Sequence, residues 1–371
     1  MVMTLSSRAV AAVSAVAVAA VAVAAIAVAA IAVDVQALAA QAGAGAVGRP
    51  AGSTVVQDAT DATGTAARAA AVRYWTPARM AAARRAAGGS PAAERPVSHT
   101  RRLIRKAPPV RPPARPTGAA PTGAAPWPAG NTAGNGLRWP HKGAVAAAVG
   151  KIFFTLGGED YVCSGTLVGG KHPDVVLTAA HCVTGGPGKG GATQWATNWM
   201  FVPGFADGLL PYGEYTARRF FVTPDWTGSE GGREQYDAAF VQVTTATLYG
   251  ASGAAKPPPG LPVEFAGSQD AAPLTRTYVF GYPSELPYSG LYLNYCAGPA
   301  VASGGSVRTP CGMTAGDSGG PWLAGFSPRS GSGPVVAVST YKVSGNLRVL
   351  YGAVLGPQAR ALYERAVSLA R

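Results

Sequence analysis

Residues 140–371 predict an all-β fold, a sandwich or barrel. Short runs of β-branched and aromatic residues recur along this stretch, Gly and Pro clusters separate them, and only the last fifteen or so residues carry a helical pattern. The preceding residues show neither period over any sustained length.

The strands read off in order. Lys151–Leu156 is a first strand, ended by the turn Gly157-Gly158, and Tyr161–Val168 and Val175–Thr178 follow. Phe220–Thr223, Ala238–Val243, Arg276–Phe280, Trp322–Ala324, Val335–Ser339 and Arg348–Val354 have the same character. After Gly356-Pro357, Gln358–Arg371 places apolar residues at 362, 366 and 369, which share one helical face.

The chain before residue 140 divides in two. Residues 9–33 are an Ala/Val/Ile run after Arg8, with no charge before Asp34. Small-residue sites at Ala37-Leu38-Ala39 and Ala40-Gln41-Ala42 make residues 1–42 a signal peptide. The run is long enough to span a bilayer, so an uncleaved membrane anchor is the alternative. Residues 43–139 are rich in Ala, Pro, Gly, Thr and Arg and read as a disordered propeptide or linker, with too little bulky apolar surface to offset ordering entropy. Arg84-Arg85, Arg101-Arg102 and Arg105-Lys106 are basic pairs open to processing.

The net charge of +13 is uneven. Residues 1–140 hold 15 Lys and Arg against 4 Asp and Glu, and the remainder holds 16 against 14. The basic character therefore belongs to the leader, and no nucleic-acid partner is expected of the folded part. Four cysteines, Cys163, Cys182, Cys296 and Cys311, follow the secretion signal and read as two disulfides. Three connectivities are open, and the local pairing 163–182 with 296–311 is the simplest. Each would close a loop of about 15–20 residues, a constraint of roughly 3 kcal/mol. No Cys-x-x-Cys pair and no acidic cluster with ligand spacing occurs, so no metal or other cofactor is expected.

Two segments carry chemistry. In Gly316-Asp317-Ser318-Gly319-Gly320-Pro321, glycines allow a tight turn around a serine. A serine needs a base and a place for the developing oxyanion, and the N–H groups of Gly316 and Ser318 can supply that place. In Thr178-Ala179-Ala180-His181-Cys182, a histidine follows the apolar run Val175-Val176-Leu177 beside a cysteine able to pin its turn. Of the other histidines, His99 and His141 fall in the leader or at its edge and His172 in a turn, which leaves His181 as the base.

Together these segments resemble the chymotrypsin-like (trypsin-like) serine peptidase family, whose T-A-A-H-C and G-D-S-G-G-P signatures both stand intact. The resemblance covers residues 140–371. It implies two six-stranded antiparallel β-barrels with the site between them, and the chain order His, Asp, Ser. Asp237, opening the run Ala238-Ala239-Phe240-Val241, is similar to the acid of the family's D-I-A-L segment, with Asp207 and Asp225 as rivals. In the family, the residue at the place of Asp317 supports the oxyanion loop from behind. Cys311–Gly316 and Tyr278–Pro283 are similar to segments of bacterial secreted peptidases of the glutamyl-endopeptidase-like branch.

The same resemblance places Gly312, six residues before the serine, at the base of the specificity pocket, next to Met313. It makes Ser339, Thr340 and Tyr341 the pocket wall. Without a carboxylate at 312, a trypsin-like taste for Arg or Lys is not expected. No histidine follows His181, so the wall histidine of glutamate-specific relatives is missing too. A small or medium apolar side chain before the cut is the expectation, and a cation from Lys342 or Arg348 facing an acidic side chain is the alternative. No activation motif stands near residue 140 beyond Arg138-Trp139.

The expectation is thus a secreted, monomeric serine endopeptidase acting on polypeptides, with a membrane partner only if residues 9–33 stay attached. The competing reading is a catalytically inactive binding or surface protein on the same fold.

Overall fold

The computed structural model describes residues 54–59, 65–85, 134–169, 174–187, 193–228, 233–245, 257–267, 274–303, 305–343 and 346–369. The apolar run 9–33, the basic pairs at 101–102 and 105–106, His99 and His172 lie outside them. Three short strands come first: β1 (Val55–Asp58), β2 (Arg84–Arg85) and β3 (Leu137–Arg138). Next come β4 (Val149–Leu156), β5 (Glu159–Val168), β6 (Val175–Thr178), β7 (Thr184–Pro187), β8 (Thr193–Trp195), β9 (Thr197–Pro203), β10 (Tyr215–Val222) and β11 (Ala239–Thr245). The second half holds β12 (Leu274–Gly281), β13 (Asn294–Ser303), β14 (Ser306–Pro310), β15 (Pro321–Ala324), β16 (Val335–Val343) and β17 (Asn346–Val354), and then the helix Pro357–Ser368.

These strands close two six-stranded antiparallel barrels. The first runs β9-β4-β5-β6-β11-β10, and β10 returns to β9 through Tyr215 opposite Phe201 and Thr216 opposite Met200. The second runs β12-β15-β16-β17-β14-β13, and β13 returns to β12. Closure removes the open edges that a six-stranded sheet would otherwise expose. β7 and β8 form a separate hairpin beyond the base.

Alternation along β12 shows how the barrels meet. Val279 points into the second barrel with Cys296, Cys311, Trp322 and Leu350. Its neighbours Tyr278 and Phe280 point the other way, into the continuous core shared with the first barrel. There Trp139 makes edge contacts with Phe280, Tyr295 and Phe326 at centroid distances of 5.0, 5.2 and 5.6 Å. The terminal helix buries Ala359, Leu362 and Ala366. It lies on the first barrel, where Gln242 Nε2 donates to Ala366 O and Phe240 meets Tyr363.

The leader departs from the expectation of a solvated chain. Within 43–139, β1 pairs antiparallel with β10, from Val55 opposite Val222 to Asp58 opposite Arg219. The helix Thr65–Tyr74 follows, and Val72 and Trp75 join the core. Trp75 is 3% exposed, lies against Phe153, and donates its indole N–H to Asn198 O at 2.5 Å. Arg79 pairs with Asp160, and Tyr74 O–H donates to the same carboxylate. One buried tryptophan and a line of backbone hydrogen bonds thus offset the low apolar density of this segment. β3 also precedes residue 140, pairing with β13.

Strands β9, β13 and β14 carry weak sequence signals. β13 contains Gly298 and Pro299, which work against strand structure. The interior positions of β9 are buried consecutively rather than alternately, which hides its period. Among the described residues no helix is long and apolar enough to cross a membrane.

Candidate active site

The register between β6 and β11 brings His181 and Asp237 together. Thr178 stands opposite Ala239, so the residues just after Thr178 face those just before Ala239. His181 sits in a single 3-10 turn, Ala180–Cys182, beyond the end of β6. Asp237 caps another such turn, Glu234–Tyr236, ahead of β11. Asp237 Oδ1 accepts from the His181 backbone N–H at 2.9 Å, and Oδ2 accepts from Nδ1 at 2.7 Å. Both residues are buried, so the carboxylate holds ring and backbone together.

A carboxylate can only accept, so Nδ1 carries the proton and the neutral ring presents its lone pair at Nε2. Nε2 has no hydrogen-bond partner among the described residues. Burial opposes protonation of the ring, but the charge and hydrogen bond of Asp237 outweigh it, so His181 holds its proton to a higher pH than the ordinary 6.5. The disulfide Cys163–Cys182 ties the turn to β5, and Trp199 Nε1 donates to Cys182 O at 3.2 Å. Cys296–Cys311 is the second disulfide, so the pairing is the local one. Cys182 Sγ lies 3.8 Å from Ser318 O, which sets the histidine turn against the serine loop.

That loop joins β14 to β15 and is held by its backbone. Gly319 N–H donates to Ser339 O at 2.8 Å, Gly320 N–H to Asp317 O at 2.9 Å, and Ser164 N–H to Ser318 O at 2.7 Å. Gly316 has φ +101°, and a Cβ there would stand 2.7 Å from both Ser284 Oγ and Tyr282 O. A Cβ at Gly320 would collide with Phe280 O. The glycines are therefore required by close approach as well as by backbone angle. Asp317 is buried, and loss of hydration pushes its carboxyl up to about 7 against the opposing charges of Lys342 and His181. Its Oδ2 accepts no hydrogen bond among the described residues.

The expected pocket residues separate into two groups. Gly312 and Tyr341 are partly exposed. Tyr341 stacks on Tyr351 with centroids 4.6 Å apart. Met313, expected beside Gly312 in the substrate-binding set, has its side chain wholly buried in the interior of the second barrel. Ser339 is likewise turned inward, with its Oγ accepting from Trp322 Nε1 at 3.1 Å. Thr340 is buried and donates to Tyr351 O at 3.2 Å. Register shifts on either side of Tyr341 re-aim this strand, which simple alternation does not anticipate.

The pocket base has two further neighbours, one unforeseen and one, Lys342, foreseen as an alternative cation. A Cβ on Gly312 would stand 2.6 Å from Gly134 O, so the chain ahead of β3 backs this glycine. Lys342 is half-buried, and its ammonium donates to Cys311 O and Leu347 O, both at 2.6 Å. The rival acids lie elsewhere. Asp225 pairs with Arg233 at the surface, and Asp207 occupies a turn at φ +52°.

The family model of the trypsin-like peptidase domain matches residues 163–325. The crystal structure of the protease Anisep from Arthrobacter nicotinovorans is 35% identical, with a TM-score of 0.51, over 60% of this chain and 96% of its own. That of the thermostable serine protease AL20 from an extremophilic microorganism is 26% identical, with a TM-score of 0.51, over 61% of this chain and 99% of its own. No curated protein matches the chain. Two closed barrels and a close relative spanned almost end to end place the chain in one family: it belongs to the trypsin-like serine peptidases and is a serine endopeptidase.

Proposed function

We propose that the chain is a secreted endopeptidase that cleaves polypeptides through an acyl-enzyme, with Ser318 as nucleophile, His181 as general base and Asp237 as the orienting acid. The observation that carries this reading is the double hydrogen bond from His181 to Asp237, which leaves Nε2 as a lone pair without a protein partner among the described residues. Ser318 Oγ attacks the scissile carbonyl and its proton passes to Nε2. The N–H groups of Gly316 and Ser318 receive the oxyanion, and neither donates to a protein acceptor among the described residues. The intermediate collapses as Nε2 returns the proton to the leaving amine. Water then repeats the sequence on the acyl ester, and Ser318 is released. Asp237 keeps its hydrogen bond to Nδ1 and stabilises the imidazolium.

Secretion rests on the signal-like residues 1–42 and on two disulfides, which persist in oxidising surroundings. The folded body reaches back beyond residue 140 to Val55, so the full secreted chain is the material to test. Protein from culture medium is treated with a fluorophosphonate probe beside a Ser318→Ala variant. Labelling of wild type alone, together with hydrolysis of a peptide library by wild type alone, is the expected result. A folded wild type that neither labels nor cleaves sinks the proposal in favour of an inactive binding protein.

A further inference from the structure

Ser164 is fully buried on β5 in the first barrel, yet its polar groups reach the serine loop of the second. Its N–H donates to Ser318 O at 2.7 Å. Its carbonyl accepts from Thr178 Oγ1 at 2.8 Å, three residues before His181. Its Oγ accepts from the Tyr282 backbone N–H at 2.8 Å and donates to Gly316 O at 2.8 Å. A hydroxyl has one proton. Because Tyr282 N–H points at the oxygen, that proton is directed to Gly316 O.

Gly316 needs such a hold. At φ +101° it has no Cβ to limit rotation, and its N–H must aim at the place where the oxyanion forms. Its carbonyl is the neighbouring handle, and turning either peptide plane disturbs the other. We propose that Ser164 is a positioning residue for catalysis, fixing the Gly316 N–H toward the oxyanion through its hydroxyl. This rests on the serine-peptidase mechanism above. Alanine here strands two buried groups, the Gly316 carbonyl and the Tyr282 N–H, and a stranded buried group gains by rotating toward any other partner. The loop that carries the donor is the part able to rotate.

The test uses the full secreted chain as wild type, Ser164→Ala and Ser164→Thr, with thermal unfolding recorded to count folded protein. Two ligands of one sequence are compared. A peptide aldehyde adds to Ser318 and places an oxyanion in the hole; the matching peptide amide only occupies the cleft. For Ser164→Ala, kcat is expected to fall by roughly 10–100-fold, the scale of a misaligned donor, while KM stays within about twofold of wild type. The aldehyde inhibition constant rises by a similar factor and that of the amide does not. Ser164→Thr, which keeps the hydroxyl, recovers most of kcat. Wild-type kcat in folded Ser164→Ala overturns the inference alone, as does equal weakening of aldehyde and amide. A wild type that turns over no substrate overturns the mechanism and this inference with it.

Discussion

The two barrels contribute to the site in opposite ways. The first presents a pair already engaged: Asp237 accepts twice from His181, and the surrounding turn is tied by a disulfide and by Trp199. The second presents groups without protein partners among the described residues: the N–H groups of Gly316 and Ser318 and one oxygen of Asp317. The contrast is what acyl transfer requires. Acid and base must hold one tautomer before substrate arrives, so their hydrogen bonds are made in advance. On the proposed mechanism oxyanion donors must be open until charge develops, and the hold on Gly316 comes from behind, through the Ser164 hydroxyl on its carbonyl.

The sharpest way to break that contrast is Asp237→Asn. The amide no longer fixes the Nδ1 proton, and kcat is expected to fall by roughly 10^4-fold, measured with a peptide ester. The acidic limb of kcat/KM should also move. With His181 as the base, its wild-type midpoint is expected above 6.5, because Asp237 outweighs burial at His181, and losing that charge is expected to lower it. An unchanged midpoint would mean that another group governs the limb.

Next in size is Trp75→Ala, which probes the first barrel's support and leaves the chemistry alone. Removing a buried indole costs about 3–5 kcal/mol, read as a lowered unfolding midpoint in denaturant. Turnover per folded molecule should be unchanged. Lost turnover with stability intact would show that the leader reaches the site.

The smallest effect comes from Asp317. Between 3.8 and about 7 the folded chain holds a proton on this carboxyl that the unfolded chain has released. This group's contribution therefore lowers stability as pH rises across that window. Asp317→Asn should flatten the slope relative to wild type, as measured by urea unfolding at several pH values. Identical slopes would place the proton elsewhere.

Legibility in the sequence followed locality. Ser318 and His181 stand in short segments whose chemistry is written in adjacent residues. Asp237 needed the chain order that the resemblance implies as well as its place at the head of an apolar run, which Asp225 lacks. The docked leader is hard to read because half of its helix is alanine and its strand is held by backbone, leaving few bulky side chains such as Val72 and Trp75 to mark it. The inward side chains of Met313 and Ser339 were not legible, because bulges and tight loops break the alternation that assigns side chains to faces. Ser164 gave no signal, because a serine after a cysteine is unremarkable until the fold brings Gly316 to it.

The helix Pro357–Ser368 has a consequence for how the two halves depend on each other. It follows the second barrel in the chain but packs on the first, against Phe240 and Gln242. Unseating it would bare Phe240 on the barrel that carries His181 and Asp237, although the strand that leads into the helix belongs to the other barrel. A disturbance in the second half of the sequence is therefore felt first as lost cover on the first.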